Sequence, residues 1–132
     1  MKRIIETDDA AAPAAAYSQG TTDGALVFTA GQVALGPDGE DHTDEDVETQ
    51  TEMALDSLLA ILAAEGLDAS DVLKTTVYLS DIDDYAAVNE VYGSYFDEEP
   101  PARSAFAVDA LPLGAAVEIE AVATRSSAGT EE

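Results

Sequence analysis

The chain has 132 residues and a formal net charge of -23, because 28 Asp and Glu residues face only five Lys and Arg residues. A chain of this length that is 46% hydrophobic can bury a core as one domain. The lack of Cys excludes disulfides and thiolate metal sites, and a single His argues against a zinc site. The negative charge opposes binding to nucleic acid or to anionic membranes.

So many acidic side chains repel one another, and salt weakens this repulsion by shortening the screening length. We therefore predict that folding and assembly need salt, as in a salt-rich cytoplasm; the alternative is an ordinary acidic protein. No apolar run approaches the roughly 20 residues of a membrane span. The start, MKRIIETDD, lacks the apolar core of a secretory signal, so we expect a cytoplasmic protein.

The N-terminal part of the chain predicts strands. Residues 2–6 (KRIIE) favour a short strand, and the Ala-rich stretch 8–16 favours an extended loop. Residues 25–32 (ALVFTAGQ) alternate between two faces, which predicts a strand. A turn at 22–24 would pair this strand with the segment before it.

A long helix is predicted next. Thr43 is the expected N-cap, and the acidic residues 44–46 would lie in the first turn, where the helix dipole favours them. Apolar residues then recur at helical spacing, and Gly66 is the natural stop.

The second half predicts a strand at 71–80, a helix at 81–96 and two strands at 103–109 and 117–124, joined through a turn at LPLG (111–114). On the predicted helix, one face carries an apolar stripe: Tyr85, Val88, Tyr92 and Phe96. The predicted order is therefore β-β-helix-β-helix-β-β. This order indicates an α+β two-layer sandwich with both helices on one sheet face.

The last strand indicates what the other face of the sheet contains. Its apolar residues should face the helices, so its acidic residues should lie on the second face. That face then has a mixed composition: Thr76, Tyr78, Ser104, Phe106, Glu118, Glu120 and Val122. Such a mixture indicates a subunit interface holding a polar pocket; the alternative is a partly exposed sheet face.

Two charged residues are candidates for chemistry. The arginine fork of Arg103 could bind a carboxylate through two parallel hydrogen bonds, or it could simply pair with one of the many acids. Glu120 could polarise a water or transfer a proton, or it could pair with Arg103 or Arg125. Tyr17 and Asn89 are weaker candidates.

Six stretches span nearly the whole chain in this order: YSQG (17–20), FTAGQ (28–32), QTEMALDSLLAILAAEG (50–66), DVLKTTVYLSDIDDYAAVNEVYGSYF (71–96), PPARSAF (100–106) and LPLGAAVEIEAVA (111–123). Together they resemble the Rid/YjgF family, the reactive intermediate deaminases. We therefore expect a single Rid/YjgF-like domain over residues 1–125, followed by a flexible acidic tail at 126–132.

The resemblance implies a chorismate-mutase-like fold with a mixed sheet. It also implies a homotrimer whose sheets form a barrel, with sites in clefts between subunits. The implied activity is hydrolysis of 2-aminoacrylate and 2-iminobutanoate to 2-keto acids and ammonia, without a metal or organic cofactor. The alternatives are a non-catalytic keto-acid-binding or chaperone-like trimer and, least compatible with the charge, a nuclease or translation inhibitor.

Residue by residue, the resemblance places the carboxylate-binding arginine on Arg103 and the water-positioning glutamate on Glu120. Four further residues would contact the substrate: Tyr17, Gly31, Asn89 and Ala105. The chain departs from the family pattern at Ala30, which replaces a serine, and at Ala15-Ala16, which replace Gly-Pro. The first change removes a hydroxyl group and could shift substrate preference.

Overall fold

The computed structural model describes residues 1–125, so the predicted acidic tail lies outside the described residues. Two α-helices, α1 and α2, and six strands, β1 to β6, are present. In chain order they are β1 (Arg3–Ile5), β2 (Gly20–Thr22), β3 (Leu26–Thr29), α1 (Val47–Ala63), β4 (Val72–Leu79), α2 (Tyr85–Tyr95), β5 (Ala102–Ala107) and β6 (Val117–Thr124).

The six strands form one mixed sheet in the order β1-β2-β3-β6-β4-β5. All neighbours are antiparallel except β4 and β5, which run parallel because the crossover through α2 returns the chain to the same end of the sheet. The predicted α+β class is confirmed. No described helix combines the length and apolar composition needed to cross a bilayer.

The core lies between the sheet and the helices. Strand β6 alternates as predicted, with Val117, Ile119, Ala121 and Ala123 buried and the residues between them half-buried. Both helices pack their apolar stripes on this inner face and belong to the same buried cluster. The inner face of the sheet is therefore covered by the apolar side chains of the helices, and the outer face carries the mixed polar and apolar side chains.

Several local features differ from the sequence prediction, among them the early ends of β3 at Thr29 and of β5 at Ala107. Strand β2 is an additional short strand that pairs with both β1 and β3. Helix α1 begins at Val47 and not after Thr43, because the Asp46 side chain accepts from the backbone N–H of Thr49 at 2.8 Å. The Thr43 hydroxyl is already engaged by the Asp41 carboxylate, 2.6 Å away.

Helix α2 also begins later than predicted, at Tyr85, after a short 3-10 turn over Ile82–Asp84. The predicted stripe of α2 is buried at Val88, Tyr92 and Phe96. Tyr85 continues that stripe but is 39% exposed, because it lies at the helix end.

A charged cluster joins the two ends of the described chain. The Glu65 carboxylate, just beyond α1, accepts from Arg3 at 2.7 and 2.9 Å and from Arg125 at 2.7 Å. The hydrogen bond from Arg3 is the largest cause that lowers the pKa of Glu65, and with that from Arg125 it brings the pKa to about 2 although burial opposes the shift. The cluster fastens β1 and the end of β6 to the end of α1.

Candidate active site

Arg103 lies on β5 opposite the fully buried Thr75 of β4, so its side chain points to the helix side of the sheet. There its Nη1 donates to the side-chain carbonyl of Asn89 at 2.8 Å, and its Nη2 donates to the Tyr85 hydroxyl at 2.6 Å. The guanidinium carbon also lies 4.8 Å from the ring centre of Tyr92. Helix α2 therefore orients Arg103 from three positions.

All three of these partners are uncharged. Within residues 1–125, no carboxylate oxygen lies within 4.0 Å of an Arg103 nitrogen. The alternative that Arg103 pairs with one of the chain's acids is therefore wrong for the described residues. No carboxylate of residues 1–125 pairs with the guanidinium, so it can bind the carboxylate of a ligand.

A cleft of about 370 Å³ opens beside Arg103. It lies between α2 and the segment that enters β5, and its lining residues are Asn89, Tyr92, Gly93, Phe96, Pro100, Pro101 and Arg103. Ala105 lies two residues further along β5, half-buried against the core. The structure thus brings three of the six predicted site residues, Arg103, Asn89 and Ala105, to the same side of the sheet.

A second cleft, of about 430 Å³, contains the other part of the predicted site. It is lined by Ala14, Tyr17, Ala30, Gly31, Val33, Leu35, Pro112, Leu113 and Glu118. Tyr17 and Gly31 therefore line the same cleft. The acidic group in this cleft is Glu118.

The side chain of Glu118 lies against Gly31. The N–H and C=O groups of Gln32 and Ile119 bond to each other at 2.8 and 3.0 Å, an antiparallel bridge that joins the two segments. A side-chain carbon added at Gly31 would overlap the Glu118 carboxylate, so any larger residue at this position would displace the Glu118 side chain. Burial, and next the charge of Glu120, raise the pKa of the Glu118 carboxyl.

The loop that carries Tyr17 is fixed by the buried side chain of Gln19. Its amide nitrogen donates to the carbonyls of Thr7, Ala10 and Ala11 at 2.9 to 3.1 Å. The side-chain oxygen of Gln19 accepts from Thr7 N at 2.8 Å, and its backbone carbonyl accepts from Ala30 N at 2.8 Å. Tyr17, which is 54% exposed, is thereby held over the cleft beside Ala30.

Glu120 occupies a separate recess on the outer face of the sheet. It lies opposite Thr76 and accepts from the Tyr78 hydroxyl at 3.1 Å. The recess, of about 170 Å³, is also lined by Lys74 and Phe28. Glu120 does not line the cleft that contains Tyr17 and Gly31. Its side chain forms a hydrogen bond with Tyr78, and not with Arg103 or Arg125.

Within one chain, Arg103 and the two glutamates lie on opposite faces of the sheet. Arg103 bonds to α2 on the inner side, whereas Glu118 and Glu120 project from β6 to the outer side. The outer face also exposes large apolar side chains, with Phe28 44% and Phe106 46% accessible. One chain therefore presents two half-sites that its own fold keeps apart.

Sequence reasoning missed two residues, Glu118 and Tyr85. Glu118 was placed on the mixed face without a role, and only its approach to Gly31 singles it out. Tyr85 was assigned to the apolar stripe of α2, although its hydroxyl contacts Arg103. In residues 1–125, no group of three or more His, Asp or Glu side chains is arranged to hold a metal ion.

Comparison with known proteins identifies similar chains over nearly the full length. The family model described as Endoribonuclease L-PSP matches residues 7–125. Reactive Intermediate Deaminase A, chloroplastic, of Arabidopsis thaliana is 44% identical over 93% of this chain and 66% of that protein. The 2-iminobutanoate/2-iminopropanoate deaminase of Rattus norvegicus is 39% identical over 95% of this chain and 91% of that protein.

A solved structure has the same fold. The crystal structure of E. coli TdcF with bound serine matches with a TM-score of 0.89 and 41% sequence identity, over 94% of this chain and 99% of that one.

Proposed function

The chain belongs to the family described as Endoribonuclease L-PSP, and from this membership we propose that it hydrolyses reactive 2-imino and enamine acids to 2-keto acids and ammonia. Relatives of about 40% identity are named imine or reactive intermediate deaminases, which supports deaminase chemistry. The substrates that we propose are 2-aminoacrylate and 2-iminobutanoate. The family description names a ribonuclease, but a net charge of -23 opposes binding of RNA phosphates.

The observation that carries this proposal is the state of Arg103. In a chain with 28 acidic residues, its guanidinium is held by an amide carbonyl, a phenol oxygen and an aromatic ring. A 2-imino acid has a carboxylate that can form a charge-assisted hydrogen bond with this guanidinium. Binding at Arg103 fixes the position of the adjacent imine carbon, which lowers the entropy cost of attack by water.

We assign proton transfer to Glu118, the carboxyl in the cleft with Tyr17 and Gly31, and not to Glu120. Starting from the protonated imine, Glu118 accepts a proton from water as the water oxygen bonds to the imine carbon, which gives a neutral carbinolamine. It returns that proton to the nitrogen and then takes the hydroxyl proton while the carbon–nitrogen bond breaks. The products are the 2-keto acid and ammonia, and ammonia takes up the proton. The raised pKa of the Glu118 carboxyl suits a group that both accepts and releases protons.

The two half-sites can meet only if they come from different copies of the chain. We propose a homotrimer in which the Arg103 side of one copy faces the Glu118 cleft of the next. The exposed apolar side chains Phe28 and Phe106 on the outer sheet face support such an assembly, since packing would remove them from water.

The proposed activity is tested by the decay of 2-iminobutanoate, generated in place by a threonine dehydratase, with and without the purified protein. The wild type should accelerate decay, and Glu118→Gln should lose most of that acceleration, roughly a hundredfold. Glu120→Gln is the matched control, because the same change is made two residues away on the same strand. Retained activity in Glu118→Gln with loss in Glu120→Gln would return the role to Glu120. Stoichiometric binding of a keto acid without turnover would instead support the binding-protein alternative.

Assembly between copies has its own test. Arg103→Ala and Glu118→Gln chains are each inactive on this proposal, but a mixed trimer made of both restores one intact site. Refolding the two variants together at equal amounts should give about a quarter of the wild-type activity, since about three quarters of random trimers are mixed with one working site in three. If the mixture stays as inactive as its components, each site is built within one chain.

A further inference from the structure

Tyr85 lies at the start of α2, four residues before Asn89, so the two side chains occupy the same helix face. Both contact the same guanidinium: Asn89 at Nη1 and Tyr85 at Nη2. The Tyr85 ring centre also lies 5.5 Å from the guanidinium carbon. Tyr85 is 39% exposed, so its hydroxyl is accessible to a ligand that reaches Arg103.

The direction of this hydrogen bond leaves the hydroxyl hydrogen of Tyr85 free to donate to another group. Arginine can only donate, so in the 2.6 Å contact the phenol oxygen is the acceptor. The hydrogen of the Tyr85 hydroxyl must therefore point away from Arg103. Within residues 1–125, this hydroxyl forms a hydrogen bond with Arg103 alone.

We propose that the Tyr85 hydroxyl is a second donor in the carboxylate site, so that Arg103 binds one substrate oxygen and Tyr85 donates to the other. The proposal rests on the proposed function, because it assumes that Arg103 receives a carboxylate. Donation of the phenol oxygen's lone pair to Arg103 polarises the hydroxyl and makes it a better donor. Two donors on different elements, β5 and α2, would fix the plane of the carboxylate as well as its position.

This arrangement favours a carboxylate over an uncharged amide. A carboxylate offers an acceptor oxygen to both Arg103 and Tyr85, whereas the NH₂ group of an amide would face one of these donors with another donor. The site should thus select 2-imino and 2-keto acids against their amides. Tyr85 would act as a positioning and specificity-determining residue for ligand binding, not as a group that transfers protons.

The first test is Tyr85→Phe, with Tyr95→Phe as the matched control. Tyr95 lies on the same helix, but its hydroxyl donates to Asp56 at 2.8 Å, away from Arg103. In Tyr85→Phe, the Kd for 2-oxobutanoate and the KM for 2-iminobutanoate should each rise about tenfold, since one hydrogen bond to a charged acceptor is lost. The value of kcat should stay within about twofold, because the bond forms equally in ground and transition states. Tyr95→Phe should change neither constant.

A second variant separates donation to the ligand from support of Arg103. Replacement of Tyr85 by 3-fluorotyrosine makes the phenol a stronger donor and a weaker acceptor, and the ring keeps its size. At a pH where the phenol stays protonated, 2-oxobutanoate should bind more tightly than to the wild type, while 2-oxobutanamide should not. Weaker or unchanged binding of 2-oxobutanoate would overturn the proposal, because Tyr85 would then only accept from Arg103.

These outcomes are distinguishable from failure of the proposed function. If the wild type binds 2-oxobutanoate but does not accelerate imine decay, the deaminase function fails while the Tyr85 measurements remain valid. If the wild type is active and Tyr85→Phe keeps the wild-type Kd and KM, Tyr85 does not donate to the carboxylate. The proposed deaminase function is then unaffected.

Discussion

Arg3 and Arg125 both bind the carboxylate of Glu65, whereas the partners of Arg103 among residues 1–125 are all uncharged. The first two arginines fasten strand ends to the end of α1 and neutralise a carboxylate whose side chain is only 9% exposed. Arg103 is oriented just as closely, at 2.6 and 2.8 Å, but its charge is not neutralised. The same residue type thus stabilises the fold in one region and remains available to a ligand in the other.

The comparison shows how to distinguish a structural cation from a functional one in a strongly acidic chain. Composition alone favours an acidic partner for any arginine here. An arginine that is instead held by Asn89, Tyr85 and Tyr92 is kept free of the acids around it. The following predictions test that division of roles.

The largest effect is expected from Arg103→Ala. It should lower kcat/KM for 2-iminobutanoate by roughly a hundredfold to a thousandfold, since up to two charge-assisted hydrogen bonds to the substrate are lost. The midpoint of urea unfolding should barely move. Arg3→Ala is the control and should reverse the pattern, with lower stability and normal kinetics. Equal kinetic losses in both variants would contradict the division of roles.

Asn89→Asp gives Arg103 the internal carboxylate that it lacks. The new acid would lie where the amide oxygen now accepts at 2.8 Å, so it should form an ion pair and compete with the substrate. We expect KM to rise roughly ten- to thirtyfold while stability stays equal or increases. Asn89→Ala is the comparison variant, because it removes the contact without adding charge. A smaller rise in KM for Asp than for Ala would argue against a free guanidinium.

Glu65→Gln should affect stability alone. The change leaves Arg3 and Arg125 without their anion, and we expect the free energy of unfolding to fall by roughly 1–3 kcal/mol. The lower end applies if solvent screens the pair, because the Arg3 side chain is 59% exposed. Urea unfolding measures the loss, and imine hydrolysis by the folded variant should be unchanged. A kinetic defect at full stability would connect the Glu65 cluster to the site.

The smallest effect is in the pH dependence of stability. The pKa of Glu65 is about 2 in the fold against 4.5 for the free group, so its stabilisation is complete above 4.5 and disappears as pH falls toward 2. The difference in unfolding free energy between wild type and Glu65→Gln should therefore shrink across this window. A difference that stays constant from neutral to acid pH would mean that the carboxylate does not carry the stabilisation.

Local alternation and helical spacing predicted much of the fold. Strand β6 was predicted with the observed bounds, because every second residue faces a continuous core. The predicted start of α1 was wrong because the Thr43 hydroxyl bonds to Asp41. A capping pattern in the sequence does not indicate this contact. Strand β2 is three residues long and gains its stability from neighbours on both sides, so its own residues give a weak signal.

The missing parts of the candidate site are those that depend on contacts between distant segments. The resemblance indicated Arg103, Tyr17 and Gly31, but two glutamates at alternate positions of β6 are equivalent in pattern. Only the folded structure shows that the Glu118 carboxylate, and not that of Glu120, lies against Gly31. Tyr85 was missed because an aromatic residue at helical spacing is ordinarily a core residue.

The Glu65 cluster also has a practical consequence for engineering. Since Arg3 and Arg125 reach the same carboxylate, the backbone at residue 3 and at residue 125 is close enough for a short Gly-Ser linker. Head-to-tail cyclisation there would restrict the unfolded chain far more than the native one, and the ring should melt at a higher temperature than the linear form. A closed backbone would also give exopeptidases no end to digest.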